Sequence, residues 1–271
     1  MSGFSANWLR LREPCDTRSR SDAFARELRT RLPVRPLKAM DLGTGTASNI
    51  RYLAPLLAGD QLWLAVDNDP ALIARQPSVL QGTDFNCRLS SQQIDLATEL
   101  DTLPFADYQL VTASALLDLV SAAWLQRLAE RCAAAQATVL FALSYDGRMQ
   151  FSPDEPDDGW LRDLVNRHQQ GDKGFGPALG PQAAHYARTA FETLDFETRT
   201  ESSDWLIKPQ EQALQRELID GWVTAAQEIA PADATRIAAW ESRRRLHLAA
   251  GNSHIRVGHQ DLMAWPTKAG G

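Results

Sequence analysis

Cysteine is scarce: Cys15, Cys87 and Cys132 are the only three in 271 residues, far apart and without a C-x-x-C pair. That excludes a disulfide-stapled scaffold, offers no structural zinc site, and fits a reducing cytosol. Positive charge is in deficit too, with 28 Lys+Arg against 34 Asp+Glu for a net of −6. A surface of that sign argues against nucleic acid as the main partner, because neutralising phosphates takes a cationic face. The longest apolar-rich stretch free of charge, 132–145, has 14 residues, short of the roughly 20 that span a bilayer. The first twenty residues carry Arg10, Arg12, Glu13, Asp16, Arg18 and Arg20 and no continuous apolar core. No secretory leader or membrane contact is expected, and the expected location is cytoplasmic. Internal repeats and low-complexity blocks are missing as well.

What is present is an ordinary globular composition, 44% apolar and 23% charged. A chain this long buries roughly three quarters of its unfolded surface, so it needs no covalent staple. Residues 21–32 read as an amphipathic helix, with Ser21 as N-cap and Phe24, Leu28 and Leu32 recurring every fourth position. Residues 37–42, 61–67, 87–95, 108–114 and 137–144 read as strands. Helical patterns fall between them at 48–57, 69–73 and 121–134. The strands are mostly continuous apolar runs, the pattern of a parallel sheet covered on both faces.

After residue 145 the character changes. Residues 151–180 are polar and rich in Asp, Pro and Gly, with one short helical stretch at 160–168. A helix over 182–196, a single strand over 196–207, two helices over 211–229 and 233–248, and a last strand over 254–265 complete the reading. The expected organisation is one domain. It comprises an N-terminal arm and helix (1–36), a core (37–145), a substrate loop (146–180), and closing strands (181–271) with a helical insertion at about 210–250.

The chemically loaded segment is Asp41-Leu-Gly43-Thr44-Gly45-Thr-Ala47, directly after a strand and before a helix. Glycines two apart permit positive φ and let backbone approach a ligand without an intervening Cβ. Asp67 closes the next strand, 20 residues after Ala47, where a carboxylate can accept both hydroxyls of a ribose. A dinucleotide fingerprint needs a third glycine where Ser48 stands, and Asp41 would gain nothing beside a pyrophosphate. An acid there suits a cationic amino-acid head group, so the implied ligand is a nucleoside carrying an amino acid.

D-L-G-T-G-T-A resembles the first motif of class I S-adenosylmethionine-dependent methyltransferases, with Ala47 in place of the last glycine. L-A-V-D-N-D-P, with Asp67 and Asn68, resembles the family's ribose-binding strand end. Asp95-Leu96 resembles the pair that flanks adenine, and A-D-Y-Q-L-V-T-A-S, ending at Ser114, resembles the fourth-strand segment. The resemblance covers about residues 38–145. It implies an α/β, Rossmann-like fold: a doubly wound, seven-stranded, mostly parallel sheet in the order 3-2-1-4-5-7-6, with helical cap insertions. It also implies S-adenosyl-L-methionine as cofactor, held by Asp41, Gly43, Thr44, Gly45, Asp67, Asn68, Asp95, Leu96 and Ser114.

Methyl transfer is a direct displacement that needs an aligned nucleophile in a dry pocket. A base is required only when the acceptor is a hydroxyl or a protonated amine. The N/D-P-P-Y/F/W run common in methyltransferases acting on adenine or glutamine amides is missing: Ala113-Ser114-Ala115-Leu116 stands there. A small-molecule acceptor is therefore expected, with an RNA or protein methyltransferase, a nicotinamide-dependent reductase and a non-catalytic cofactor module as alternatives.

Candidate catalytic groups are His168, Asp118 and Tyr145. Candidate acceptor-binding residues are Arg12, in the arm, Lys173 and Phe175, in the glycine-rich 168–181 segment, and Tyr186. No metal is expected, since His254 and His259 would point to opposite faces of a strand. Arg243-Arg244-Arg245 reads as a solvated helix face, and Trp222 and Trp240 as core between paired helices.

Overall fold

The computed structural model describes residues 5–32, 36–76 and 87–267. Eight strands form one sheet: β1 (Leu37–Leu42), β2 (Gln61–Asp67), β3 (Cys87–Gln93), β4 (Leu110–Ser114), β5 (Thr138–Ser152), β6 (Phe196–Ser202), β7 (Trp205–Ile207) and β8 (His254–Pro266). Their order is β3-β2-β1-β4-β5-β8-β6, with β7 also paired to β8. β1 to β5 run parallel, and β8 runs antiparallel to its neighbours. The inner strands are apolar on both sides because helices cover both faces. On one face α6 (Ala122–Ala134) and α8 (Ala183–Glu192) close a core around Met40, Val66, Val111 and Phe141. On the other, α2 (Asp22–Arg31) and α3 (Ser48–Leu53) pack on Ala39, Trp63 and Leu140. Among the described residues no helix is long and apolar enough to cross a membrane.

The strand count exceeds the expected seven, because 196–207 is two strands instead of one. Asp204 breaks it. Its Oδ1 accepts the His259 backbone N–H at 3.2 Å, standing in for a strand carbonyl, while Arg148 and Arg256 hold the same carboxylate. An acid does a similar thing in β5. Leu143 takes a positive φ of 57° and gives its N–H to Asp261 Oδ1 at 2.8 Å. The register then shifts twice before Met149, as expected at bulges. β5 consequently runs on to Ser152, eight residues past the end read from its apolar run. Its extension pairs only with β8, so burial there alternates.

A helix that the polar arm did not suggest opens the chain. α1 (Ala6–Ser19) starts on Ser5, whose Oγ accepts the Trp8 N–H at 3.1 Å, and it tolerates Pro14 in its interior. Its inward stripe is charged: Arg12, Asp16 and Arg20 are all buried. Glu13 pairs with Arg51 of α3 at 2.6 Å, and Arg18 pairs with Glu211 at 2.6 Å.

The cap consists of α7 (Asp158–Gln169), α9 (Gln212–Ile229) and α10 (Ala234–Ala249), packed over the extended ends of β5 and β8. Trp222 and Trp240 do form core there, both edge-on to Phe151 at 5.6 and 5.8 Å. The arginine run is not a solvated face. Arg244 is fully buried against the Asp158 carboxylate and the Pro153 carbonyl, and Arg243 pairs with Glu155 and Asp157. Only Arg245 stays outside, bound to Glu241 and Asp220.

Candidate functional site

The sheet reverses its winding between β1 and β4, and a crevice of about 430 Å³ opens there at the carboxyl ends of the strands. That is where open α/β sheets bind ligands, and the volume lies in the range of small-ligand pockets. The turn after β1 makes its floor. Gly43, Gly45 and Ala47 all take left-handed φ, at 61°, 55° and 63°. A Cβ on Gly45 would stand 3.1 Å from Leu9 Cδ1 of α1, a close contact that adds to the glycine preference set by φ. Ala47 sits where a glycine would be unstrained, and full burial holds it there.

Asp41 braces this turn from below. Oδ1 accepts from Asn49 Nδ2 and Thr112 Oγ1, and Oδ2 accepts from Thr44 Oγ1, each at 2.6 Å. The residue is only 1% exposed, and burial pushes its carboxyl above the ordinary range against the pull of those three donors. Asp67 is placed differently. Oδ2 accepts the Gly45 N–H at 2.7 Å and Oδ1 the Asp69 N–H at 3.0 Å, which leaves each oxygen a second lone pair. Asp95 caps α5 (Leu96–Glu99) through the Ala97 N–H at 3.0 Å, and the Leu96 carbonyl accepts from Trp124 Nε1 at 2.6 Å.

Every cofactor position read from the sequence lines this one crevice: Asp41, Gly43, Thr44, Gly45, Asp67, Asn68, Asp95, Leu96 and Ser114. Ser114 is tied to α1, its Oγ accepting from Arg20 Nη2 at 2.8 Å. Arg20 is buried among the Asp16, Asp261 and Asp41 carboxylates. Desolvation lowers its pKa and those acids hold it up.

The acceptor-side residues divide. Arg12 lines the crevice at the glycine-turn end, and Phe175 lines it at the Ile94–Leu96 end, its ring edge-on to Trp124 at 5.3 Å. Phe175 thus stands beside the positions expected to flank adenine. Lys173 is elsewhere, 3.3 Å from His168 Nδ1, while His168 Nε2 lies 2.9 Å from Glu228 on the cap. Those three side chains fasten the glycine-rich loop to α7 and α9. Tyr186 packs on the α6–α8 core. Neither His168 nor Tyr145 is part of the crevice lining. The Tyr145 hydroxyl donates to Asn166 Oδ1 at 2.7 Å, and burial keeps it a phenol.

Asp118 is likewise absent from the crevice lining, although its chain neighbours Leu116 and Leu119 belong to it. It is 7% exposed, and its Oδ1 is buried without a partner. Burial pushes its pKa up to about 6, while backbone N–H groups of Asp118 and Tyr145 and the nearby Arg12 charge oppose the rise. Arg12 also lies 4.9 Å above the Trp205 ring, which stacks 4.9 Å from His259. Burial drives His259 down to about 3, so its imidazole is neutral.

Leu9, Asp16 and Asn49 are among the lining residues not predicted as site positions. For Asp16 a signal exists, since Arg12, Asp16 and Arg20 follow a four-residue step that places them on one helix face.

No protein-family profile and no curated protein matches the sequence. Solved structures do match. The cyclopropane synthase MmaA2 from Mycobacterium tuberculosis aligns over 96% of this chain and 94% of its own, with a TM-score of 0.51 and 12% identity. A protein from Bacillus halodurans described as a methyltransferase aligns over 90% and 98%, with a TM-score of 0.51 and 13% identity. At such identity the likeness is one of fold, and the fold is that of the class I S-adenosylmethionine-dependent methyltransferases.

Proposed function

We propose that this chain, built on the class I methyltransferase fold, transfers a methyl group from S-adenosylmethionine to a small-molecule acceptor. The observation that carries the reading is that the glycine turn and the ends of three other strand segments, far apart in sequence, meet at one crevice at the sheet's switch point. The crevice also fits the cofactor chemically. Asp67 keeps lone pairs for two ribose hydroxyls, Asn49 Oδ1 is a buried acceptor awaiting a donor, and Gly45 leaves room that a Cβ would fill.

Bound S-adenosylmethionine would supply a sulfonium methyl, the carbon–sulfur electrons returning to sulfur as the acceptor's lone pair makes the new bond. The chain's own groups do the rest. Asp67 and Asn68 orient the ribose, Leu96 and Phe175 wall the base, and, for an acceptor that must lose a proton, Asp118 next to the lining residues Leu116 and Leu119 is the base. Leu9 of α1, beside Gly45, and Phe175 of the glycine-rich loop both line the crevice, and this apolar lining favours a small acceptor over a macromolecule. The net charge of −6 agrees, offering no cationic surface for RNA.

Isothermal titration should show S-adenosylmethionine and S-adenosylhomocysteine binding in the micromolar range. Incubation with methyl-labelled cofactor and a small-molecule extract should move label into an organic product. Silence at millimolar cofactor, or NADH binding in its place, would remove the reading.

A further inference from the structure

The sequence assigns the cofactor's cationic head group to Asp41, but the structure spends Asp41 on the turn. Its Oδ1 is filled by two donors, its Oδ2 takes a third, and the residue is 1% exposed. Another charge must meet a zwitterion at this end of the crevice, because an unpaired ionic group taken from water into a pocket is strongly penalised. Among the described residues, the only oppositely charged pair that lines the crevice is on α1. Arg12 donates Nε and Nη2 to the Asp16 carboxylate at 2.9 and 3.2 Å, and the two side chains are 10% and 5% exposed.

The hydrogen bonds to Asp16 use Arg12 Nε and Nη2 and not Nη1. Beside the pair, Asn49 also lines the crevice, its amide nitrogen held by Asp41 and its Oδ1 buried without a donor. A guanidinium, a carboxylate and an orphaned amide oxygen therefore line the same pocket. We infer that Arg12 and Asp16 of α1 form the clamp for the amino-acid end of the cofactor, with Arg12 receiving its carboxylate and Asp16 and Asn49 Oδ1 its ammonium group.

The inference rests on the cofactor reading above and goes further, because it moves head-group recognition from the glycine motif to a helix outside it. It also assigns the pair a reason to be buried. An isolated buried ion pair adds little stability over apolar packing, whereas a ligand carrying both signs can satisfy both partners at once.

The test compares ligands with and without the amino acid. Titrate the wild-type chain with S-adenosylhomocysteine, with its decarboxylated analogue, and with methylthioadenosine, then repeat with R12Q and D16N. Each charged hydrogen bond removed should cost roughly 10-fold or more in affinity. The wild type should therefore bind S-adenosylhomocysteine at least 10-fold more tightly than either truncated ligand. R12Q and D16N should erase that advantage and leave methylthioadenosine binding unchanged, which also reports that the variants are folded. Should a variant fail to fold, R12K and D16E take its place, and an unaltered preference for S-adenosylhomocysteine over methylthioadenosine in both would overturn the clamp. Equal wild-type affinity for all three ligands, or variants that weaken methylthioadenosine as much as S-adenosylhomocysteine, would overturn the clamp while leaving the cofactor site in place. A wild type that binds none of the three would instead overturn the cofactor reading.

Discussion

At the scale of single residues, Asp118 makes the sharpest commitment. Its carboxyl is buried with one oxygen unpartnered, and its pKa is raised to about 6. As the proton acceptor it must be ionised, so methyl-transfer activity should climb as pH rises through about 6. D118N should flatten that limb and cost roughly 100-fold in kcat. A D118N enzyme with the same pH profile as wild type would remove the role.

The same shift has a stability consequence. A group whose folded pKa lies above its unfolded value stabilises the fold below the unfolded value and loses that contribution as pH rises through the folded one. Relative to wild type, D118N should therefore be more stable at pH 8 than at pH 4, by up to roughly 3 kcal/mol, as read from urea midpoints at the two pH values. Asp67 belongs to the same scale. D67A should weaken S-adenosylhomocysteine at least 10-fold by removing a charged acceptor, and an unchanged affinity would place the ribose elsewhere.

Among the elements, the cap is fastened by ion pairs with different weights. Arg244 is fully buried between the Asp158 carboxylate and the Pro153 carbonyl, so R244A strands a carboxylate and should cost about 3–5 kcal/mol in equilibrium unfolding. R245A, which cuts more exposed pairs with Glu241 and Asp220, should cost about 1 kcal/mol or less. Hydrogen bonds from His247 to Glu155 and from Arg236 to Asp157 hold both acids below their ordinary pKa, helped by Arg243. Depressed acids stabilise above the unfolded carboxylate pKa and lose that contribution as pH falls through the folded value. The wild type should accordingly lose stability below about pH 4, and R243A should shed part of that acid limb.

These elements also show where pattern reading stops. Local signals located α2, α6, α9 and α10 within a residue or two, because each has an apolar stripe at helical spacing. α1 escaped because its buried stripe is charged, and no hydrophobic period marks it. The split of 196–207 and the bulges of β5 escaped for another reason: Asp204 and Asp261 replace backbone partners on a strand more than fifty residues away. Nothing local in the sequence records such a substitution.

At the scale of the whole molecule, the strand order from β3 to β6 followed from the resemblance once β8 is taken as the seventh strand. The cofactor crevice was legible because it is built from one contiguous turn and a few strand ends. The acceptor side was not, since His168, Lys173 and Tyr145 owe their surroundings to the cap, which folds back from residues far along the chain. The acidic surface makes a prediction of its own. At about 50 mM salt the protein should pass through a heparin column unretained, and retention would reopen a nucleic-acid substrate.

The pairing of α1 with two neighbours has a mechanical corollary. Glu13 bolts it to the helix behind the glycine turn, and Arg18 bolts it to the base of the cap. Any displacement of the cap should therefore be felt at α1, which lines the crevice through Leu9, Arg12 and Asp16. A covalent tether between residues 18 and 211 should slow ligand exchange in both directions.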